Sequence, residues 1–203
     1  MGTLKKLFGM GLSLFMDTGT GVIAVHTVSA VFGRSIEWYD YLIGIFFAVM
    51  PDSDMFIPLI VEFTGGDESD SSHKALPTHY PLFMVPFIGG LALLVSPLFY
   101  GSLVVTCLLA HFFHDSWQSQ ENGPGVRWLA PFGKRYYQLL SRHAQGEPLK
   151  LVLVVSPERV ERAFEETLEE WLESIFFQFT WENTIGIATF TVSICLATHN
   201  LLR

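Results

Sequence analysis

Runs of apolar residues alternate with polar stretches along this chain. The five longest runs lie at 20–33, 38–50, 80–95, 98–113 and 184–202. Each of them is shorter than, or barely reaches, the ~20 residues that a helix needs to cross a bilayer. Helices that are apolar on every side need lipid or a large protein core around them, and this chain has few polar residues with which to cover them. The pattern therefore predicts an all-α, multi-pass membrane protein with short transmembrane helices. Buried core helices of a soluble protein are the alternative.

The polar stretches and the two ends of the chain complete this organisation. The start, MGTLKKLFGMGLSLFM, has two lysines but no small-residue cleavage site after it, so we expect an uncleaved helix on or in the membrane. Within SPERVERAFEETLEEWLESIFFQF, Ser156 and Pro157 are typical of a helix start, and apolar residues then recur at helical spacing. We predict one membrane-embedded domain, 1–203, with three parts: a core at 20–135, an amphipathic surface helix at 150–183 and a C-terminal transmembrane helix at 184–203.

The composition is that of a membrane protein, and the net charge limits the classes of partner that the protein can bind. Half of the residues are hydrophobic, 16% are charged and the mean hydropathy is +0.37, which is too apolar for an ordinary soluble domain. The net charge of −8 argues against nucleic acid as a partner, because phosphate binding favours a basic surface. Basic residues are frequent after the fourth run, which predicts that this side is cytoplasmic. The expected partners are the lipid bilayer and a small-molecule or lipid substrate.

Histidine and aspartate residues mark the borders of the apolar runs. They are His26 in the first run, Asp52 and Asp54 at the end of the second, His73 and His79 before the third, and His111, His114 and Asp115 at the end of the fourth. If the third and fourth runs form a helical hairpin that turns near Pro97, the start of one and the end of the other lie on the same side. The loop at 52–79 brings the end of the second run to that side as well. His26 joins this group only if the first run enters from the same side.

The spacing of these residues is that of metal ligands. His111 and Asp115 are four residues apart and therefore share one face of a helix. Asp52 and Asp54 follow Pro51 in extended or turn backbone, where both carboxylates can point to one place. Imidazole and carboxylate ligands without thiolate suit Zn, Mn or Fe. Each motif also has a simpler explanation: a turn for the two aspartates, a hydrogen-bonded core residue for His26, and an interface anchor for the segment HFFHDSW.

In these motifs the chain resembles the prokaryotic predicted membrane-bound metal-dependent hydrolases, a group typified by LexA-regulated, YdjM-like inner-membrane proteins. The matching elements, in chain order, are His26, PDSD at 51–54, HKALPTH at 73–79, HFFHD at 111–115 and APFG at 130–133. The chain departs from the family pattern at Met55, where the family has histidine, and at Lys74, where it has arginine. The resemblance implies an inner-membrane location. It also implies, by analogy with zinc-dependent phospholipase C proteins, an all-helical fold and phosphoester hydrolysis.

We therefore expect a membrane-bound hydrolase that uses a divalent metal ion, with zinc the first candidate. The expected ligands are His26, Asp52, Asp54, His79, His111 and Asp115, and His73 or His114 would act as general acid or base. Two alternatives remain open at this point: a transporter that binds metal or another ion transiently at the same residues, and a non-catalytic membrane protein in which the metal only holds the helices together.

Overall fold

The computed structural model describes residues 3–55, 77–117, 125–141, 148–157 and 181–202. All five apolar runs form helices, as predicted. In chain order the elements are α1 (Thr3–Phe32), α2 (Trp38–Val49), a 3-10 helix (Met50–Met55), a second 3-10 helix (Pro77–His79), α3 (Pro81–Met84), a π-helical turn (Val85–Gly89), α4 (Gly90–Val95), α5 (Leu98–Ser116), β1 (Tyr136–Ser141), β2 (Lys150–Val155) and α6 (Trp181–Leu201).

Local sequence signals set the turn between α1 and α2. Gly33 follows α1 with a φ of +60°, a conformation in which glycine has no Cβ penalty. The backbone N–H of Arg34 then donates to the carbonyl of Ser29 (3.0 Å), which caps the end of α1. At the start of α2, the carboxylate of Asp40 accepts a hydrogen bond from the backbone N–H of Glu37 (2.8 Å) in a capping box. These contacts turn the chain through a tight corner.

Two prolines shape the third and fourth runs. Pro86 has no backbone N–H for the helical ladder, and the helix takes a π-helical turn there. The predicted break at Ser96-Pro97 is confirmed, because α4 ends at Val95 and α5 begins at Leu98. The third run is thus a short bent helix that packs on α5 as one arm of a hairpin.

The helices run up and down and give the bundle two polar ends. α1 and α6 run in the same direction, since the Phe15 and Phe190 rings stack (4.3 Å between centroids) and the Asn200 amide donates to the Ile36 carbonyl (3.3 Å). α2 and α5 run in the opposite direction. We call the end where α2 and α5 finish the Asp52 end, and the end where they begin the Arg34 end.

An apolar core separates these two ends. Val25, Leu103 and Cys107 are fully buried at the contact of α1, α2 and α5. α1 and α2 approach so closely at Gly21 and Gly44 that a Cβ on Gly21 would lie 2.6 Å from the Gly44 carbonyl oxygen. The helices in this region therefore touch through their backbones, which is common where membrane helices pack.

The outer surface of the bundle is apolar, as lipid contact requires. Large apolar side chains such as Phe46, Phe87, Leu94 and Ile194 are exposed. Among the described residues, three helices have the length and apolar composition to cross a membrane: Leu14–Phe32, Leu98–Ser116 and Asn183–Leu201. The helical segment Pro81–Val95 is apolar but shorter.

The expectation of an all-α fold is wrong for one region, because β1 and β2 form an antiparallel hairpin. Tyr136 pairs with Val155 and Ser141 pairs with Lys150. The first six residues of the helix predicted at 150–183 are therefore strand. The sequence KLVLVV is rich in β-branched residues, and its Leu153 and Val155 alternate inward as a strand requires. Residues 158–180 of that predicted helix lie outside the described part of the chain.

Candidate metal centre

Four buried side chains meet at the Asp52 end, and we call them the Asp/His cluster: Asp52, His79, His111 and Asp115. Each offers one ligand atom, and these atoms all lie within 4.8 Å of one another. The cluster could hold a metal ion. It gathers two carboxylates and two imidazoles from three separate segments of the chain, as the hairpin argument from the sequence expected.

The backbone explains why these four residues meet. Asp52 lies in the 3-10 helix that follows α2 directly after Pro51, and His79 ends the short 3-10 helix that precedes α3. His111 and Asp115 lie one turn apart on the buried face of α5. The end of α2, the start of α3 and the end of α5 thus bring these four side chains to one level of the bundle.

The distances within the Asp/His cluster are those of atoms around a common cation. His79 Nε2 lies 3.0 Å from Asp52 Oδ1 and 3.8 Å from Asp115 Oδ2. His111 Nε2 lies 3.6 Å from Asp52 Oδ1 and 3.7 Å from Asp115 Oδ2. Two ligand atoms of one tetrahedral zinc ion lie about 3.3 Å apart, given bonds of about 2.0–2.1 Å. The cluster can therefore hold one small divalent ion if its atoms, which lie within 4.8 Å of one another, draw together and His79 Nε2 gives up the proton that it shares with Asp52.

The second nitrogen of His111 gives an independent test of this fit. His111 Nδ1 lies 3.0 Å from the carboxylate Oδ1 of Asp17, and since a carboxylate only accepts, Nδ1 carries the proton. His111 Nε2 is buried and makes no hydrogen bond with the described residues. Nε2 faces two carboxylate oxygens, and either a proton on Nε2 or a metal cation between these atoms would offset their negative charge. The residues present fit a metal cation.

Asp17 is the residue of this site that sequence reasoning missed. It lies on α1, is 1% exposed, and orients His111 in the way that carboxylates hold metal-binding histidines. His114 Nδ1 also lies near it, 3.6 Å from Asp17 Oδ1. A signal was available: Asp17 is the one acidic residue in the apolar stretch SLFMDTGTGVIAV, and charges within such stretches are costly unless they have a role.

The structure does not bring His26 into the Asp/His cluster. Its Nε2 pairs with the hydroxyl of Tyr41 (3.0 Å) in the contact of α1 with α2. His26 lies nine residues after Asp17, which is about 13 Å further along α1 at 1.5 Å per residue. The prediction of His26 as a ligand is therefore corrected: it is a hydrogen-bonded histidine in a helix contact.

Three further residues of the predicted site, His114, Asp54 and His73, are not among the four of the Asp/His cluster. His114 lies on the last turn of α5 beside Asp17, and its side chain is 25% exposed. Asp54 lies in the 3-10 helix Met50–Met55, but its side chain lies outside the described part of the structure. His73 also lies outside the described residues.

Fold and site together define a mostly helical membrane protein with a buried Asp/His/His/Asp cluster that could hold a metal ion. The model of the YdjM inner membrane protein family matches residues 16–201, from just before Asp17 to the end of α6. The chain therefore belongs to the YdjM inner membrane protein family, and its environment is a lipid bilayer. No curated protein and no solved structure matches the chain. The expected likeness to zinc-dependent phospholipase C proteins stays a prediction.

Proposed function

We propose that this protein is a membrane-bound, metal-dependent hydrolase and that the Asp/His cluster holds its metal ion. The observation that carries this proposal is the group of four buried ligand atoms within 4.8 Å, with His111 Nε2 facing two carboxylates. Zinc is the first candidate because two imidazoles and two carboxylates suit it, and Mn and Fe accept the same ligands. A divalent ion held there would act as a Lewis acid and lower the pKa of a coordinated water.

A phosphoester at the membrane surface is the substrate class that we propose. The Asp/His cluster lies at the ends of α2 and α5, where the chain leaves its apolar helices. In the proposed reaction the oxygen of water bonds to phosphorus, the bond from phosphorus to the leaving alcohol breaks, and a proton from the water ends on the alcohol oxygen. A lipid, or a small molecule that reaches the membrane surface, would meet the site at this level.

The surrounding residues prepare the site for this reaction. The Asp17 carboxylate holds the proton of His111 on Nδ1 and so keeps Nε2 available as a ligand. His114 is partly exposed beside Asp17 and is the described residue placed to exchange a proton with solvent. His73 keeps the same proposed role, as general acid or base.

The proposal includes a multi-pass arrangement with the Asp52 end at the cytoplasmic boundary. Three helices in the described part of the chain are long and apolar enough to cross the bilayer. Lys134, Arg135 and Lys150 are exposed in and beside the hairpin that follows α5, which supports a cytoplasmic position for that end.

The proposal is tested by purifying the protein in detergent, measuring its metal content and screening phosphomonoesters and phosphodiesters. We expect about one zinc ion per chain and hydrolysis of at least one ester. Asp52→Ala is expected to lose both the zinc and the activity. His199→Ala, a change of an exposed histidine on α6, serves as the control and is expected to keep both. Absence of zinc, manganese and iron from the wild-type protein would refute the proposal.

A structural metal site is the second candidate function, and one observation favours it. The ligand residues are almost completely buried, with His111 at 0% and His79 at 1% exposure, and structural metal sites are closed. This candidate predicts a bound metal with no ester hydrolysed, and loss of folding when Asp52 is replaced. A transporter is less favoured, because the described core between the two ends is apolar, with Val25, Leu103 and Cys107 at its centre.

A further inference from the structure

The segment from Gly125 to Gly133 is tied to both sides of the Asp/His cluster. Arg127 Nη1 donates to the hydroxyl of Tyr80 (2.9 Å), and Tyr80 directly follows the ligand His79. Trp128 Nε1 donates to Ser116 Oγ (2.7 Å), and Ser116 directly follows the ligand Asp115. Two neighbouring side chains of this segment thus contact residues that directly follow His79 and Asp115, so the segment packs beside the Asp/His cluster.

The guanidinium of Arg127 is in contact with two aromatic rings but has no negative partner among the described residues. It lies over the rings of Tyr80 (4.9 Å) and Tyr136 (5.7 Å), and Nη2 donates a long hydrogen bond to the Gly133 carbonyl (3.4 Å). Within the described part of the chain, its Nε is buried without a hydrogen-bond partner, and no carboxylate forms an ion pair with it. A guanidinium has five N–H donors, and the described structure uses two of them.

The negative charge of the Asp/His cluster indicates what the Arg127 guanidinium could bind. Three carboxylates lie together there, those of Asp17, Asp52 and Asp115, and a divalent ion would leave one negative charge in excess. An anionic ester entering this site would be repelled without a second source of positive charge. Arg127 is the described cation that is hydrogen-bonded next to a ligand. Its planar fork of donors matches the oxygens of a phosphate group.

We propose that Arg127 binds the phosphate group of the substrate beside the Asp/His cluster. The inference rests on the proposed function and specifies its substrate as anionic. The phosphate group belongs either to a lipid headgroup or to a free phosphorylated molecule, and both offer the same oxygens to the guanidinium.

Binding of inorganic phosphate to zinc-loaded protein in detergent tests this inference, with unbound zinc removed first. We expect Arg127→Gln to weaken phosphate binding by about tenfold to a hundredfold, the range for a lost hydrogen bond to a charged group. Arg127→Lys keeps the charge but loses the fork, so an intermediate loss is expected. The zinc content should be unchanged in both variants. If Arg127 had only a structural role, the zinc content would fall together with phosphate binding.

Arg34→Gln is the matched control, because Arg34 is a half-buried arginine that already has a carboxylate partner at the other end of the bundle. It is expected to bind phosphate like the wild type. Equal phosphate binding by wild type and Arg127→Gln, or no phosphate binding by zinc-loaded wild type, would overturn the role of Arg127 while the metal proposal stands. Failure of the wild type to bind any metal would instead overturn the proposed function.

The two sources of phosphate are separated by a second titration with a short-chain phosphatidic acid in the same detergent. Tighter binding of this lipid than of inorganic phosphate, with the same loss in Arg127→Gln, assigns a lipid headgroup. If the lipid binds as tightly as inorganic phosphate or more weakly, the phosphate group of the substrate belongs to a free phosphorylated molecule. A lipid that binds wild type and Arg127→Gln equally is bound elsewhere and contradicts the inference for lipids.

Discussion

The two ends of the helical bundle both bury carboxylates between apolar helices, but they balance the negative charge differently. At the Arg34 end, Asp40 is completely buried, and its oxygens accept from the Arg34 guanidinium (3.3 Å) and the Glu37 N–H (2.8 Å). Arg34 also stacks on Phe99 and donates to the Tyr100 hydroxyl (3.0 Å). The chain thus supplies its own cation there, and the pair needs nothing from outside.

At the Asp52 end the buried carboxylates of Asp17, Asp52 and Asp115 face histidines. His111 Nε2 is buried without a hydrogen bond to the described residues. Buried charge has to be paired, and the proposed metal ion would supply the positive charge at this end. Under the proposed function, one end of the bundle supplies its own cation and the other end would take up a metal ion, and four predictions test that difference.

The largest expected effect is the removal of the metal ion. A ligand that binds only the folded state stabilises it by about 4 kcal/mol when its free concentration is about 1,000 times its Kd. Thermal unfolding in detergent with and without a chelator should therefore show a large loss of stability for the wild type. A chelator without effect on the unfolding temperature would mean that the Asp52 end holds no metal.

Replacement of Asp40 by alanine should have the next largest effect. It removes the capping box of α2 and the partner of Arg34, and we expect a loss of about 2–3 kcal/mol in the free energy of unfolding. The loss stays below that of a fully buried pair because Arg34 is 29% exposed and can turn toward water. Zinc content, measured on the folded protein, should not change; a fall in zinc content would show that the two ends are not independent.

Asp17→Asn tests the assignment of Asp17 to the metal site at the Asp52 end. The amide retains an acceptor for His111 Nδ1–H but loses the charge, and changes of this kind cost about tenfold to a hundredfold in metal affinity. Zinc affinity is measured by competition with a chelator of known affinity. Asp40→Asn makes the same chemical change at the Arg34 end and should leave the affinity unaltered. Equal effects of the two substitutions would contradict the assignment of Asp17 to the metal site.

The smallest effect is expected for His26→Phe. Its side chain pairs with the Tyr41 hydroxyl, so the loss is that of one hydrogen bond, about 1 kcal/mol. The zinc content should equal that of the wild type, in contrast to Asp52→Ala. Loss of zinc in His26→Phe would restore His26 as a ligand and refute the corrected assignment.

Sequence reasoning brought the four residues of the Asp/His cluster together because their positions follow simple rules of chain geometry. The spacing of His111 and Asp115 places both on one helix face, and the turn at Pro97 brings His79 to their level. His26 on α1 and His111 on α5 have similar apolar neighbours in the sequence, but His111 lies in the Asp/His cluster and His26 does not. Only the packing of α1 against α2 and α5 decides which imidazole meets a carboxylate.

The errors have physical causes as well. Asp17 was overlooked because the first apolar run was taken to begin at 20, whereas α1 extends continuously from Thr3 to Phe32. The hairpin was missed because the run KLVLVV adjoins a strong helical pattern that begins at Ser156. Apolar runs of this length fit a strand or a helix, and pairing with β1 settles the choice.

The close approach of Gly21 and Gly44 has a consequence for how loss-of-function mutations should be interpreted. Asp17 lies one turn before Gly21, and Asp52 lies two turns after Gly44, so a wider gap between α1 and α2 would move these carboxylates apart. A random mutagenesis screen for loss of metal should therefore recover substitutions at both glycines, although neither has a side chain that could bind a metal. Such variants would mimic ligand mutants while leaving every ligand intact.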